Sequence, residues 1–321
     1  MDEVKPQAKP VQNSGLPQAL DQSAAVSPVA VLSPVQQHPM HRVFIGAQGL
    51  RAGWRLLIYV ALVFLVYGLA GFALPRNMHG IWRELADESR FMVAALLPAL
   101  LMAVFERPRF GAYGLPGRQA FGKLFWVGLI WGIAAVSLLV FAIGSFGDFS
   151  LGTVALHGMR ILKYAIFWGG FFLAVGFFEE FLFRGYSQFT LATGMGFWPA
   201  AVLLSVMFAV THAGNPGETF IGLVAVAAVA LFFCLTLRRT GNLWFAVGFH
   251  ASFDWGESYL YSVPDSGTTV TGHLLNSSFH GSRWITGGSV GPEGSLLVYV
   301  VIALAWVAFD RVYPEAKWRN S

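Results

Sequence analysis

The sequence predicts an all-α, polytopic membrane protein with about eight transmembrane helices, and two observations carry this prediction. Of its 321 residues, 55% are hydrophobic and only 12% are charged, with a mean hydropathy of +0.58, whereas soluble domains carry about 25% charged residues. Uncharged apolar stretches also recur along the chain, as in proteins whose helices cross a bilayer. The net charge of +4 is scattered rather than clustered, so we expect no nucleic-acid partner.

Residues 1–45 precede the apolar stretches and contain six prolines among Gln, Ala, Ser and Val. This composition has neither a helical nor a strand period, so we predict a disordered cytoplasmic tail. The first 20 residues lack the apolar core of a cleavable secretion signal, and the first long apolar run begins at Leu56. We therefore expect that run to be retained as a membrane anchor.

A membrane domain is predicted over residues 46–315. Its eight candidate spans are residues 56–75, 91–105, 124–147, 164–178, 197–210, 219–237, 243–253 and 295–309. Several are shorter than the roughly 20 residues of a perpendicular transmembrane helix, so they must extend into flanking polar residues or be shielded by protein. The fourth, fifth and seventh spans are the short ones, and their ends carry ionisable residues. The single cysteine, Cys234, lies inside an apolar run and is expected to pack inertly.

The distribution of basic residues predicts the orientation in the membrane. With eight crossings and a cytoplasmic N-terminus, 15 of the 21 Lys and Arg fall on the cytoplasmic side. The positive-inside rule then predicts a multi-pass protein of the plasma (inner) membrane with both termini cytoplasmic. Residues 257–294, rich in Gly, Ser and Thr, are predicted to form an extracytoplasmic loop, as a flexible connector or as a lid.

Ionisable residues mark the ends of the short spans, and a charge at the centre of a transmembrane helix costs about 2.5–3.5 kcal/mol on insertion scales. Six stand out: Glu179, Glu180, Arg184, His212, His250 and Asp254. Glu180 and Arg184 are four residues apart and share a helix face, as do His250 and Asp254. One glutamate can therefore pair with the arginine, which leaves the other for acid–base chemistry. Each motif alone could mark a helix end or a packing site, but together they favour a functional polar centre.

These residues form three motifs: E-E-x-x-x-R at 179–184, F-x-x-x-H at Phe208 and His212, and H-x-x-x-N/D at His250 and Asp254. In type and order they resemble the CPBP family of CAAX proteases and bacteriocin-processing enzymes, which are intramembrane glutamic endopeptidases. The resemblance covers a core of about 111–256.

The resemblance implies a role for each matched residue. Glu179 would activate a water molecule with help from His212. His250 and Asp254 would polarise the peptide carbonyl or stabilise the oxyanion. As structural support, Glu180 would be held by Arg184, and Phe208 would pack the site. No cofactor is implied, and the expected partners are a membrane-associated protein or peptide substrate, CAAX-like or other, and the lipid bilayer.

One geometric condition follows from the predicted spans. Straight helices would place Glu179 toward the inner side and His212 toward the outer side. For the two to meet, the fourth helix must continue beyond Arg184 toward Leu191, begin outside the bilayer, or tilt strongly.

Alternative functions remain open from the residues alone. His212, His250 and a carboxylate would suit a zinc-dependent intramembrane protease. The polar residues could instead form the proton relay of a transporter or the packing centre of a non-catalytic scaffold. In addition, Gly128 and Gly132 form a GxxxG pattern that can pack helices closely.

Overall fold

The computed structural model of the protein describes residues 43–46, 49–75, 77–106 and 110–318. The predicted N-terminal tail lies outside the described residues up to position 42. The α-helices, in chain order, are α1 Ala52–Phe72, α2 Ile81–Glu106, α3 Lys123–Ser145, α4 Met159–Glu180, α5 Gln188–Met195, α6 Phe197–His212, α7 Phe220–Thr240, α8 Trp244–Trp255, α9 Arg283–Thr286 and α10 Leu297–Val312. The predicted all-α fold class is confirmed.

The remaining regular structure is short. Two π-helical segments, Phe181–Ser187 and Gly256–Leu260, directly follow α4 and α8. Strands β1 Ile45–Gly46 and β2 Gly49–Leu50 form one antiparallel pair, and β3 Phe149–Ser150 and β4 Ser278–Phe279 form another. Segments of 3-10 helix cover Phe110–Tyr113, Gly117–Gln119 and Pro292–Gly294.

Five helical segments are long and apolar enough to cross a membrane by length and composition: α1, α2, α3, the run Met159–Met195 and α7. Their outer surfaces expose large apolar side chains, including Phe64 at 72% and Phe105 at 82% exposure, which suits contact with lipid. The chain is thus a polytopic membrane protein. All eight predicted spans fall on helices, but α6, α8 and α10 contain only 16, 12 and 16 residues. The predicted count of eight full crossings is therefore not confirmed.

Helix α8 is short because it is enclosed by protein. Among the described residues, its most extensive helix contact is with α3. Both helices use glycine at the contact: a β-carbon on Gly128 would lie 2.1 Å from the Phe245 carbonyl oxygen, and one on Gly248 would lie 2.2 Å from the Phe125 carbonyl oxygen. The predicted GxxxG pattern therefore marks a real close approach of two backbones, and this approach positions α8.

The segment after α8 packs against the bundle rather than extending from it as a free connector. Tyr259 is 2% exposed, and its hydroxyl donates a 2.7 Å hydrogen bond to the carbonyl oxygen of Ile161. The Trp168 indole donates a 3.0 Å hydrogen bond to the Thr271 carbonyl oxygen. These contacts tie residues 257–294 to α4. Aromatic residues therefore anchor a segment whose Gly- and Ser-rich composition predicts a flexible connector.

Candidate active site

The first site element is the long helical run that begins with α4. It continues through the π segment Phe181–Ser187, with a kink at Gly185, into α5 and ends at Met195. The sequence requires the fourth helix to extend beyond Arg184, begin outside the bilayer or tilt strongly if Glu179 and His212 are to meet. The structure shows the first of these, because the helical run extends to Met195. Within the π segment, Gly185 has φ −81° and ψ −112°, so the helix is distorted one residue after Arg184. Such π segments often occur at functional sites.

The second element is a buried ion pair on this helix. Arg184 Nη1 lies 3.2 Å from Glu180 Oε1, and the two side chains are 1% and 0% exposed. The guanidinium also stacks over the Phe208 ring, 4.4 Å from its centroid. Phe208 therefore contacts Arg184 directly as well as packing the site. Arg184 is buried in the bundle. It is therefore not one of the cytoplasmic loop residues whose positive charges predict the orientation.

His250 on α8 joins the motifs into one cluster. Its Nδ1 lies 3.0 Å from Glu180 Oε1, while its Nε2 lies 3.6 Å from Glu179 Oε2 and 3.4 Å from Asp254 Oδ2. A carboxylate paired with arginine accepts hydrogen bonds, so Nδ1 carries a proton and donates a hydrogen bond to Glu180. Glu180, rather than Asp254, thus determines which histidine nitrogen faces Glu179.

Close packing of α4 on α8 makes these distances possible. A β-carbon on Gly176 would lie 3.1 Å from the Ala251 amide nitrogen and 3.3 Å from His250 Cβ. A larger residue at position 176 would push His250 away from the glutamates. Glycine therefore lets the two motif helices meet one turn before Glu180.

A cavity of about 730 Å³ opens beside the cluster, and its walls include Glu179, His212, His250 and Asp254. His212 is half-buried at the end of α6, where its Nδ1 lies 2.8 Å from the Phe208 carbonyl oxygen. A carbonyl only accepts, so Nδ1 donates this hydrogen bond and Nε2 is the nitrogen left for other partners. Glu179 and His212 share this wall without a direct hydrogen bond between them among those formed by the described residues.

The cavity also contains carboxyl groups that the motifs do not include. Glu88 on α2 lines it together with Glu84, and the buried Glu88 Oε2 has no hydrogen-bond partner in the described part of the chain. Asp265, in the loop after α8, lines the same cavity. The second span predicted from the sequence begins at residue 91, which places Glu88 in the preceding loop. The i, i+4 spacing of Glu84 and Glu88, ahead of the apolar run, is the signal that could have found them.

The zinc alternative requires three ligands at one point. Within the described ranges, one group of His, Cys, Asp or Glu residues brings three possible ligand atoms within 4.8 Å of one another. That group is Glu257, Asp265 and Glu293 and includes neither His212 nor His250. The two histidines therefore line one cavity without forming a three-ligand set with a carboxylate.

Comparison with known proteins supports the assignment of this region. Residues 161–256 match the family model described as Type II CAAX prenyl endopeptidase Rce1-like. This match agrees with the resemblance to the CPBP family and spans all three motifs. None of the curated proteins and none of the solved structures matches this chain. Residues 161–256 are thus similar to CAAX-type proteases, which supports an intramembrane endopeptidase in general.

Proposed function

We propose that the protein is an intramembrane endopeptidase in which Glu179 activates water for hydrolysis of a peptide bond. The observation that carries the proposal is the position of Glu179. It faces the cavity and is 19% exposed, whereas its neighbour Glu180 is fully buried and held by Arg184 and His250. Only the first glutamate is therefore accessible to both water and substrate.

The proposed reaction consumes one water molecule for each bond cleaved. Glu179 takes a proton from water, and the hydroxide attacks the carbonyl carbon of the peptide bond. The tetrahedral intermediate then collapses, the C–N bond breaks, and the proton passes from Glu179 to the departing amine. His212, on the same cavity wall, assists in its neutral form by accepting a hydrogen bond from the water at Nε2.

His250 and Asp254 serve the developing negative charge on the carbonyl oxygen. The imidazole donates through Nδ1 to Glu180, and in its doubly protonated form it also presents an N–H at Nε2, on the side directed toward Glu179 and Asp254. A donor placed in advance stabilises an oxyanion without reorganisation during the reaction. Arg184 acts indirectly by holding Glu180, and Phe208 acts indirectly by stacking on Arg184; neither lines the cavity shared by Glu179 and His250.

The proposed substrates are membrane-associated peptides or proteins, CAAX-like or other, that enter the cavity from the bilayer. A volume of about 730 Å³ accommodates a short extended peptide segment. The cavity walls combine carboxyl groups with Phe91, Trp168, Phe171 and Phe172, which suit apolar substrate groups. We further propose a plasma-membrane location with both termini cytoplasmic, on the basis of the charge distribution, and catalysis without a metal.

The test uses purified full-length protein in liposomes with a library of membrane-tethered reporter peptides, with and without a prenylated cysteine. Glu179→Gln keeps the shape of the side chain and removes its basicity, so we expect cleavage to fall at least 100-fold. Glu84→Gln makes the same chemical change at an exposed position on the same cavity and should retain cleavage. Matched circular dichroism spectra and elution volumes establish that both variants fold.

Two outcomes would contradict the proposal. Equal cleavage by wild type and Glu179→Gln would remove Glu179 from the mechanism and favour a scaffold or transporter. Inactivation by a zinc-selective chelator, with recovery on adding zinc, would favour the metalloprotease alternative.

A further inference from the structure

A second group of carboxylates lies next to the candidate active site and takes no part in the proposed reaction. Glu257 belongs to the π segment after α8, Asp265 to the following loop and Glu293 to the 3-10 turn before α10. One oxygen from each of the three lies within 4.8 Å of the other two. Three separate segments of the chain therefore direct acidic side chains toward one point.

Hydrogen bonds orient two of these carboxylates but leave oxygens free at the centre. Asp265 Oδ2 accepts from the Ser258 hydroxyl at 3.0 Å, and Glu293 Oε1 accepts from the Ser266 amide at 2.6 Å. Glu257 is 1% exposed, and its buried Oε1 has no hydrogen-bond partner within the described residues. The buried Glu293 Oε2 likewise has none there. Burying a carboxylate oxygen without a hydrogen-bond donor costs desolvation free energy. A positively charged ligand at these oxygens would offset that cost.

The surrounding charges do not supply that ligand. Among the ion pairs formed by the described residues, none joins Glu257, Asp265 or Glu293 to a lysine or arginine. Burial, reinforced by the negative charge of Asp265, raises the pKa of Glu293 to about 8. Burial likewise raises the pKa of Asp265 to about 6 and shifts the pKa of Glu257 upward. The burial and mutual proximity of these three acids therefore make their charged forms unfavourable.

A backbone oxygen faces the same space. A β-carbon on Gly291 would lie 2.2 Å from the Pro264 carbonyl oxygen and 2.5 Å from Glu293 Oε2. The glycine, with φ +131°, leaves this space open between the two oxygens. Oxygen ligands are those that hard divalent cations prefer, and calcium–oxygen distances of about 2.3–2.6 Å separate opposite ligands by about 5 Å. Three carboxylate oxygens within 4.8 Å of one another thus fit around one calcium-sized ion.

We propose that Glu257, Asp265 and Glu293 form a binding site for a divalent cation of the calcium type. The ion joins the end of the α8 segment, the loop at Asp265 and the turn before α10. Asp265 and the adjacent Ser266 also line the cavity that contains His212 and His250. Cation binding therefore holds one wall of that cavity in place. The proposal does not depend on proteolytic activity, and its test does not use it.

The test measures binding of Ca²⁺ to the full-length protein in detergent after treatment with EGTA. Isothermal titration calorimetry gives affinity and stoichiometry. The thermal unfolding midpoint is recorded with and without about 1–5 mM Ca²⁺, a range that reaches or exceeds the dissociation constants of extracellular calcium modules, about 0.1–1 mM. We expect one Ca²⁺ per chain, a higher midpoint with Ca²⁺, and Mg²⁺ binding at least tenfold weaker. Glu257→Gln and Asp265→Asn should each weaken Ca²⁺ binding at least tenfold and abolish the midpoint shift.

The control is Glu315→Gln, which changes an exposed acid after α10 and should leave Ca²⁺ binding unchanged. Absence of Ca²⁺ binding to wild type would overturn the proposal and indicate that the three carboxyl groups share protons instead. Binding that survives in both Glu257→Gln and Asp265→Asn would also overturn it, because the ion would lie elsewhere. Mg²⁺ binding as tight as Ca²⁺ binding would overturn the assignment to the calcium type.

Discussion

The contact between α3 and α8 offers the sharpest test of how packing supports the site. Gly132 lies on α3, and a β-carbon there would fall 2.1 Å from Ser252 Oγ and 2.2 Å from the Phe249 carbonyl oxygen. Ordinary carbon–oxygen contacts are about 1 Å longer, so Gly132→Ala must move one helix by roughly 1 Å. The clash includes backbone, which a side-chain rotation cannot relieve. Overpacking of this kind costs about 1–3 kcal/mol of stability.

The same movement reaches the proposed active site. His250 lies on α8 between Phe249 and Ser252, and its Nδ1 is 3.0 Å from Glu180 Oε1. A displacement of about 1 Å takes that pair beyond hydrogen-bond distance. Misplacement of a catalytic group by about 1 Å costs up to 100-fold in rate. We therefore expect Gly132→Ala to lower both the free energy of unfolding and the cleavage rate.

The matched control is Gly170→Ala on α4, where a β-carbon would meet nothing within 4 Å. Since glycine in a helix is less favourable than alanine by about 0.5–1 kcal/mol, this variant should be as stable as wild type or slightly more so. Both variants are compared in liposomes by thermal unfolding and by reporter cleavage. If Gly132→Ala matches Gly170→Ala in stability and rate, the reasoning from close backbone contact is wrong.

Three further substitutions test individual contacts by unfolding in detergent. Arg184→Met leaves Glu180 buried without its ion-pair partner and should lower the free energy of unfolding by about 3–5 kcal/mol. A double variant that also carries Glu180→Gln should recover much of this loss. Equal stability of the single and double variants would contradict a stabilising ion pair. Glu106→Gln weakens the acceptor shared by Arg55 and two tyrosine hydroxyls and should cost about 1–3 kcal/mol, and an unchanged midpoint would show that the network contributes nothing. Thr219→Ala removes the N-cap of α7 and should cost about 1 kcal/mol, while Thr219→Ser should restore it; a loss in both variants would exclude the capping explanation.

The membrane helices could be predicted from sequence because lipid imposes a local rule. A span must be continuously apolar and must satisfy its own backbone hydrogen bonds, so each one appears as an uncharged run. The ends of these helices are less predictable. Helix α2 begins at Ile81, ten residues before the apolar run, because its first turns line a polar cavity instead of lipid. For this reason the apolar run alone does not identify Glu88 as a helical residue that lines the cavity.

Continuation of the fourth helix past Arg184 depends on contacts that are distant in the sequence. The segment after Arg184 is polar, yet Gln188 and Thr190 are 0% and 1% exposed. Gln188 donates a 2.9 Å hydrogen bond to the Phe197 carbonyl oxygen, and Tyr186 donates a 2.6 Å hydrogen bond to Glu106, 80 positions earlier. Protein partners therefore replace lipid around this part of the helix. Hydropathy alone cannot reveal such an environment.

The two motif helices leave α-geometry directly after their ionisable residues. The first π segment begins one residue after Glu180, and the second begins two residues after Asp254. A π turn frees backbone groups, and within a bundle they need partners from the protein; the Ser187 hydroxyl donates a 2.6 Å hydrogen bond to the Leu182 carbonyl oxygen. The change of helical phase also redirects the next residues. Within the first segment Tyr186 reaches Glu106, and within the second Glu257 reaches Asp265 and Glu293. The departures from regular helical geometry next to the motif residues therefore also position the side chains that contact Glu106 and the Asp265–Glu293 cluster.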